Sequence, residues 1–383
     1  MFDKRLFEDM DWWLLLSLVV IMALAFVNLW SASAAAGYPF QWKQLQWYTI
    51  GSVMMFGVLV FDYRKLASYW IHIYVLTIVM LLLVMFVGKS VSGSQRWISL
   101  GFINLQPSEF AKLLMVVVIS SFFAQEDKEQ YGLADLWKPL LLVLVPVLLI
   151  VKQPDLGTGL LVLGIFASLV YYARLKWTSF LIILGMGMAA FPLLWKFMKP
   201  YQRRRVEIFL NPESDPFGAG WHVLQSKIAV GSGQVLGKGF MKGTQAQLNF
   251  LPEVHTDFAF SIWSEEWGFA GAMILIGVYF FFLVRCLSIA QNARDRFGSF
   301  LVFGITAMIF WQLLINVCMV LGLMPVVGIP LPLVSYGGSS VLTTLVGVGL
   351  IMNVRLRRSL FQGKEAGKPR LHYRDTASGI GGS

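Results

Sequence analysis

Apolar stretches of membrane length recur almost from end to end of this chain, and that pattern constrains the fold more than any other feature. Segments 12–30 and 157–173 are continuously apolar. Strands of an outer-membrane barrel would instead alternate apolar and polar residues over about ten positions. The composition agrees: 57% of residues are hydrophobic and 14% charged, too apolar for a water-soluble domain or a disordered chain. The expected fold class is an all-α polytopic membrane protein. Apolar runs, read against turn and charge signals, predict about ten transmembrane helices at roughly 12–30, 47–61, 69–87, 107–124, 138–151, 156–173, 178–197, 257–285, 298–321 and 338–354.

Orientation follows from the cations. With the N-terminus inside, the short outer loops hold only Lys43, Lys89, Arg96 and Lys152, while inside segments hold most of the remaining Lys and Arg. The positive-inside rule then places both termini in the cytoplasm. The net charge of +10 reflects this asymmetry and a basic tail, so it is not read as nucleic-acid binding. Cys286 and Cys318 fall near opposite ends of neighbouring spans and are expected as packing residues. No cleavage site of the A-x-A type follows the first span closely, although 31–36 comes near one, so that span is expected to stay.

The spans make one integral membrane domain over residues 1–358, with a long outer loop at about 198–256 and a polar tail, 359–383, expected to be disordered. Within the loop, 221–230 has helix-compatible apolar spacing and suits a position along the membrane surface.

Four polar motifs fall where the chain re-enters the membrane from outside. They are Gln106-Pro107-Ser108-Glu109, Gln153-Pro154-Asp155, the run 251–257 with Glu253, His255 and Asp257, and the run 332–340 with Ser335 and Ser340. All four open helices, where free N–H groups and the positive dipole end favour anions. An anionic substrate at the outer leaflet is the first functional inference. The plainer reading is that Glu109, Asp155 and Asp257 simply cap or complement their own helices.

Glu109 and Lys112 share a helix face inside the membrane, where charge is kept only for pairing or for a polar cavity. A structural ion pair and a substrate contact both remain open. Arg96, next to Trp97, adds an outer cation. The consecutive Arg203, Arg204 and Arg205 suit bidentate phosphate binding or a lipid-facing basic patch, and a regular backbone must send at least one of them away from any pocket. Asp257 is the strongest candidate for a general base. Glu265 and Glu266, deeper on the same helix, are expected to pair with Lys112 or another cation. Lys238-Gly239 is not a P-loop, four scattered histidines give no metal-ligand spacing, and the serines around Ser335 lack a His/Asp partner pair.

At these residues the sequence resembles the SEDS family of bacterial cell-wall proteins (shape, elongation, division and sporulation). The resemblance rests on Gln95-Arg96-Trp97, Gln106-Pro107-Ser108-Glu109-Phe110-Ala111-Lys112, Gln153-Pro154-Asp155-Leu156-Gly157-Thr158, His255-Thr256-Asp257-Phe258 and Pro332-Leu333-Val334-Ser335-Tyr336-Gly337-Gly338-Ser339. Segments 201–205, 211–216 and 218–222 look more like the elongation members than the division members. The resemblance implies a ten-helix polymerase in the bacterial cytoplasmic (inner) membrane. Its substrates would be lipid II and the growing glycan strand, joined at the outer face by inverting transfer with release of undecaprenyl pyrophosphate. It implies that Asp257 is the essential acid. Glu109, Lys112, Arg96, Trp97, Gln202 and Arg205 match cavity positions, and Arg203, Asp155, Ser335 and Ser340 are further substrate-binding candidates. It also implies a class B penicillin-binding protein as partner, membrane lipid around the chain, and a divalent cation (Mg or Mn) with no organic cofactor. A lipid II flippase and a non-catalytic scaffold of the cell-wall synthase are the competing classes.

Overall fold

The computed structural model describes residues 10–91, 94–99, 104–126, 128–215, 218–248, 250 and 255–366. Glu253 and the end of the tail, 367–383, lie outside the described residues. Each expected span has a helix. The first four long helices are α1 (Trp12–Ala36), α2 (Phe40–Val60), α4 (Trp70–Val87), which follows a short α3 (Arg64–Ser68), and α5 (Pro107–Gln125). Next come α6 (Trp137–Lys152), α7 (Leu156–Tyr172) and α8 (Trp177–Phe197). The outer loop contributes α9 (Pro200–Leu210), α10 (Ala219–Ser232) and α11 (Thr244–Gln247), and the chain closes with α12 (Ala259–Gln291), α13 (Arg296–Val320) and α14 (Gly338–Ala366). Six of these, α1, α4, α5, α12, α13 and α14, are long and apolar enough to cross a membrane.

Several boundaries differ from expectation for identifiable reasons. The α2 helix starts seven residues early, at Phe40, because the amide-rich turn around Gln41, Gln44 and Gln46 is helical although it does not read as apolar. The α14 helix runs to Ala366, eight residues into the expected disordered tail. The α12 helix starts at Ala259, so Asp257 lies in the turn before it and not in its first turn. The all-α expectation also misses a small antiparallel sheet, β1 (Lys89–Val91), β2 (Ser94–Ser99) and β3 (Asn104–Leu105), in that order. It pairs Lys89 with Trp97 and Ile98 with Leu105. The stretch lacks helical periodicity, and its paired strands satisfy backbone groups that a loop would leave open.

The core lies around α5, α13 and α14, where Val116, Val118, Ile305, Met308, Leu345 and Val348 are fully buried. Small residues let the backbones approach, as in membrane helix pairs generally. Between α2 and α14, a Cβ at Gly51 would lie 2.5 Å from Leu345 Cδ1, and one at Gly349 would lie 2.7 Å from the Met55 carbonyl oxygen.

The outer loop is not a loose excursion. Segment 221–230 is helical, as expected, but α10 packs on the bundle: Ser226 Oγ lies 2.9 Å from Ser261 Oγ and donates to the Val320 carbonyl at 2.8 Å. The α12 helix is broken at Gly268, which has φ 63° and ψ −163°. The loop repairs the break. Lys238 N and Gly239 N donate to the Glu265 and Glu266 carbonyls at 3.0 and 2.9 Å, while Phe269 N and Ala270 N donate to the Gln234 and Val235 carbonyls at 2.8 and 3.0 Å. Only glycine fits the junction, since a Cβ at Gly268 would overlap the amide of Gly237.

Candidate active site

Two non-helical segments form the floor of the site. The coil leading into α14 is buried, so each of its carbonyls needs a partner that lipid cannot supply. Polar side chains on the surrounding spans provide them. Gln44 Nε2 donates to the Leu333 and Ser335 carbonyls, both at 3.1 Å, and Tyr48 donates to Leu333 O at 2.6 Å. Tyr279 donates to Pro332 O, and Asn316 to Ile329 O at 2.8 Å. Ser335 Oγ accepts from Leu331 N at 2.9 Å, which commits it to closing this turn. Ser339 Oγ accepts from Gln106 N at 2.9 Å and ties the coil to α5. Ser340 Oγ is buried and makes no hydrogen bond.

The second segment is the turn at 255–258. Tyr336 N donates to the His255 carbonyl at 2.7 Å, and the His255 ring stacks on Phe40 at 4.0 Å between centroids. Asn316 Nδ2 donates to the Asp257 carbonyl at 3.0 Å. The N-cap of α12 is Phe258, without a side-chain cap, and Asp257 is half-buried one residue earlier. Asp257 therefore does not occupy the capping position that the plainer reading gave it. Its carboxylate lies against Gly328, where a Cβ would come within 3.3 Å of Oδ2.

For Asp155 the plainer reading holds. It is the N-cap of α7, accepting from Thr158 N at 3.2 Å and Thr158 Oγ1 at 2.9 Å. It also accepts from Ser108 Oγ at 3.1 Å and Gln106 Nε2 at 3.3 Å, which fastens α7 to the mouth of α5. Arg96 is held alongside, donating to the Gln153 and Pro154 carbonyls, with one guanidinium nitrogen 3.8 Å from Asp155. Trp97 lies next to it on β2, partly exposed.

Glu109 and Lys112 form a 2.7 Å ion pair with side chains 5% and 2% exposed, and Glu109 Oε2 makes no further hydrogen bond. The expected link from Lys112 to Glu265 or Glu266 is absent. Glu265 takes the other cation that expectation allowed: Lys238 donates to it at 2.6 Å, joined by Thr244 N at 2.8 Å. Glu266 accepts from Ser31.

The arginine run divides by position on α9. Arg203 donates to the Trp195 and Lys196 carbonyls and so caps the end of α8, and Arg204 pairs with Asp215 at 3.3 Å. Gln202 Oε1 accepts from Lys199 N and closes the first turn of α9. In this structure Gln202 and Arg203 spend these polar atoms on the end of α8 and the first turn of α9. Arg205 alone of the three lines a cavity of about 90 Å³, with Ile208, Phe209, Val223, Met324 and Val326. Burial lowers its pKa from the usual arginine value, as does the nearby Arg96 cation, while Asp257 and Asp155 act in the opposite sense. Arg205 is thus close enough to Arg96, Asp155 and Asp257 to feel their charges.

Among the described residues no group of three His, Cys, Asp or Glu side chains is placed to share a metal ion, and the Asp155 oxygens are already taken by donors. Asn316, Gln44 and Tyr48 escaped the sequence reading. Asn316 and Tyr48 are polar groups within expected spans, whereas Gln44 lies in the amide-rich turn just before one.

A family model described as cell cycle protein, covering FtsW, RodA and SpoVE, matches residues 6–360. The chain belongs to that family. Its relatives include the peptidoglycan glycosyltransferase MrdB of Escherichia coli (strain K12), 37% identical over 362 residues, which span 94% of this chain and 97% of that protein. A chain solved in a study of how a peptidoglycan synthase complex coordinates polymerization and crosslinking superposes with a TM-score of 0.79. It is 32% identical, with 91% of this chain and 98% of that one covered. The rod shape determining protein RodA of Thermus thermophilus superposes at 0.68 with 30% identity, covering 91% and 97%. As in those family members, the fold is that of a polytopic helical membrane protein.

Proposed function

We propose that this protein is a peptidoglycan glycosyltransferase that polymerises lipid II at the outer face of the bacterial cytoplasmic membrane during cell elongation, with both termini in the cytoplasm. The observation that carries the reading is the contrast between two acids at helix mouths. Asp155 is spent as a cap, whereas Asp257 stands outside the capping position and within electrostatic reach of Arg205.

Asp257 takes the proton from the 4-hydroxyl of an acceptor N-acetylglucosamine as its oxygen attacks the anomeric carbon of a donor N-acetylmuramic acid. The configuration inverts, and undecaprenyl pyrophosphate leaves. The Arg205 guanidinium, in its partly apolar cavity, faces the charge that develops on the leaving group. Arg96 and Lys112 add positive potential, although the first is anchored to the 153–155 turn and the second to Glu109. The polyprenyl tail stays in lipid beside the bundle. A class B penicillin-binding protein is the partner that would crosslink the product, a reading supported by the likeness to a chain of a peptidoglycan synthase complex.

The buried charges Glu109, Lys112, Glu265 and Glu266 and the break in α12 at Gly268 are the features that favour a lipid II transporter, whose binding sites use discontinuous helices. Among the described residues no second break answers it. Purified protein with lipid II in detergent, read by gel, separates the two: glycan polymer without another glycosyltransferase selects the enzyme, and movement of lipid II between leaflets without polymer selects the transporter. Asp257→Asn should reduce polymerisation by about 10² to 10⁴ while the protein stays folded. Retention of more than about a tenth of the rate would refute the base, because that factor is only about 1.4 kcal/mol.

A further inference from the structure

Asn316 is a fully buried asparagine on α13, one turn before the helix ends at Val320. A primary amide has two N–H donors. The Asn316 amide nitrogen donates to the Asp257 carbonyl at 3.0 Å and to the Ile329 carbonyl at 2.8 Å. These acceptors lie on different non-helical segments, the turn at 255–258 and the coil that follows Gly328. Gly328 itself, at φ +73°, is the residue against which the Asp257 carboxylate lies. One side chain therefore fixes both the backbone that carries the carboxylate and the surface that the carboxylate touches.

We infer that Asn316 is a positioning residue for Asp257: its side-chain amide clips the turn that bears the carboxylate to the coil that the carboxylate rests on. The inference depends on Asp257 being the base. The turn is held on its other side by Tyr336 N at the His255 carbonyl and by the His255–Phe40 stack. With the clip removed, those contacts still hold the His255 side of the turn, while the direct tie from the Asp257 backbone to α13 and to the Ile329 carbonyl is lost. A base displaced by about 1 Å from its line to the acceptor hydroxyl loses rate on the order of 10²-fold without losing substrate.

The test uses full-length protein in detergent with lipid II, restricted to monodisperse material. Asn316→Leu keeps the approximate volume and removes both donors, while Asn316→Ser keeps one short donor. The expected result for Asn316→Leu is a kcat lower by about 10- to 100-fold with KM for lipid II within about twofold, and a smaller fall for Asn316→Ser. In an Asp257→Asn background, neither change should lower the residual rate further, because the clip acts only through the carboxylate. If the leucine variant yields no folded protein, the serine variant carries the same two readouts. A kcat within about twofold of wild type in a folded variant, or a loss that multiplies with that of Asp257→Asn, overturns the inference. Near-normal activity of Asp257→Asn would remove the base and the clip together. An inactive Asp257→Asn with unaffected Asn316 variants would remove the clip alone.

Discussion

Lys112→Met places a defined stress on the buried ion pair of α5. Lys112 Nζ is 2.7 Å from Glu109 Oε1, both side chains are at most 5% exposed, and Glu109 Oε2 makes no hydrogen bond. Removing the ammonium leaves a carboxylate with neither oxygen satisfied and almost no water within reach. Breaking such a pair from one side costs about 3 to 5 kcal/mol. Glu109→Gln added to Lys112→Met removes the stranded charge and should return most of that stability, a coupling large enough to resolve in a double-mutant cycle. Thermal unfolding of the purified protein in detergent gives the stabilities, and lipid II polymerisation gives the function. The expected outcome is recovery of stability without recovery of polymerisation, because the charge contributes to the positive potential at the site as well as to packing. A double variant no more stable than Lys112→Met alone would refute the electrostatic reasoning. A double variant with restored activity would make the pair purely structural.

The topology and the arginine run give two further predictions. Single cysteines at Ser94 and Ser214 should react with an impermeant thiol reagent from outside intact spheroplasts, and one at Ser359, late on α14, should not; the reverse pattern would overturn the orientation. Arg203→Ala removes two hydrogen bonds from the last carbonyls of α8 and should cost about 1 to 3 kcal/mol of stability while the folded fraction still polymerises. Arg205→Ala should do the opposite, and equal loss of activity in both variants would sink the distinction.

The sequence revealed the spans because long apolar runs have few alternatives, and it revealed the mouth of the site because proline and carboxylates mark helix starts. It did not reveal how each polar atom is used. Asp155 and Asp257 look alike in a list of helix-opening acids, and only the start of α12 at Ala259 separates a cap from an acid outside the cap. Gln202 and Arg203 look like a binding patch until the turn from α8 to α9 brings the Trp195 and Lys196 carbonyls into their reach. Asn316 had a local signal, a polar group on a span, and Gln44 lay in the amide-rich turn just before one. Their partners are carbonyls of an irregular coil whose path depends on tertiary packing. The short sheet was missed because segment 89–105 is too short and too rich in serine and glycine to show a strand pattern.

The splice across the broken α12 helix also fixes a length. Four backbone hydrogen bonds join residues 234–239 to residues 265–270, and Gly237 and Gly268 meet where neither has room for a side chain. One residue gained or lost between Val235 and Lys238 would put one pair of these bonds out of step with the other. The part of α12 before the break, with Asp257 ahead of its first turn, is therefore joined to segment 234–239 by hydrogen bonds as well as to the rest of its own helix by the chain.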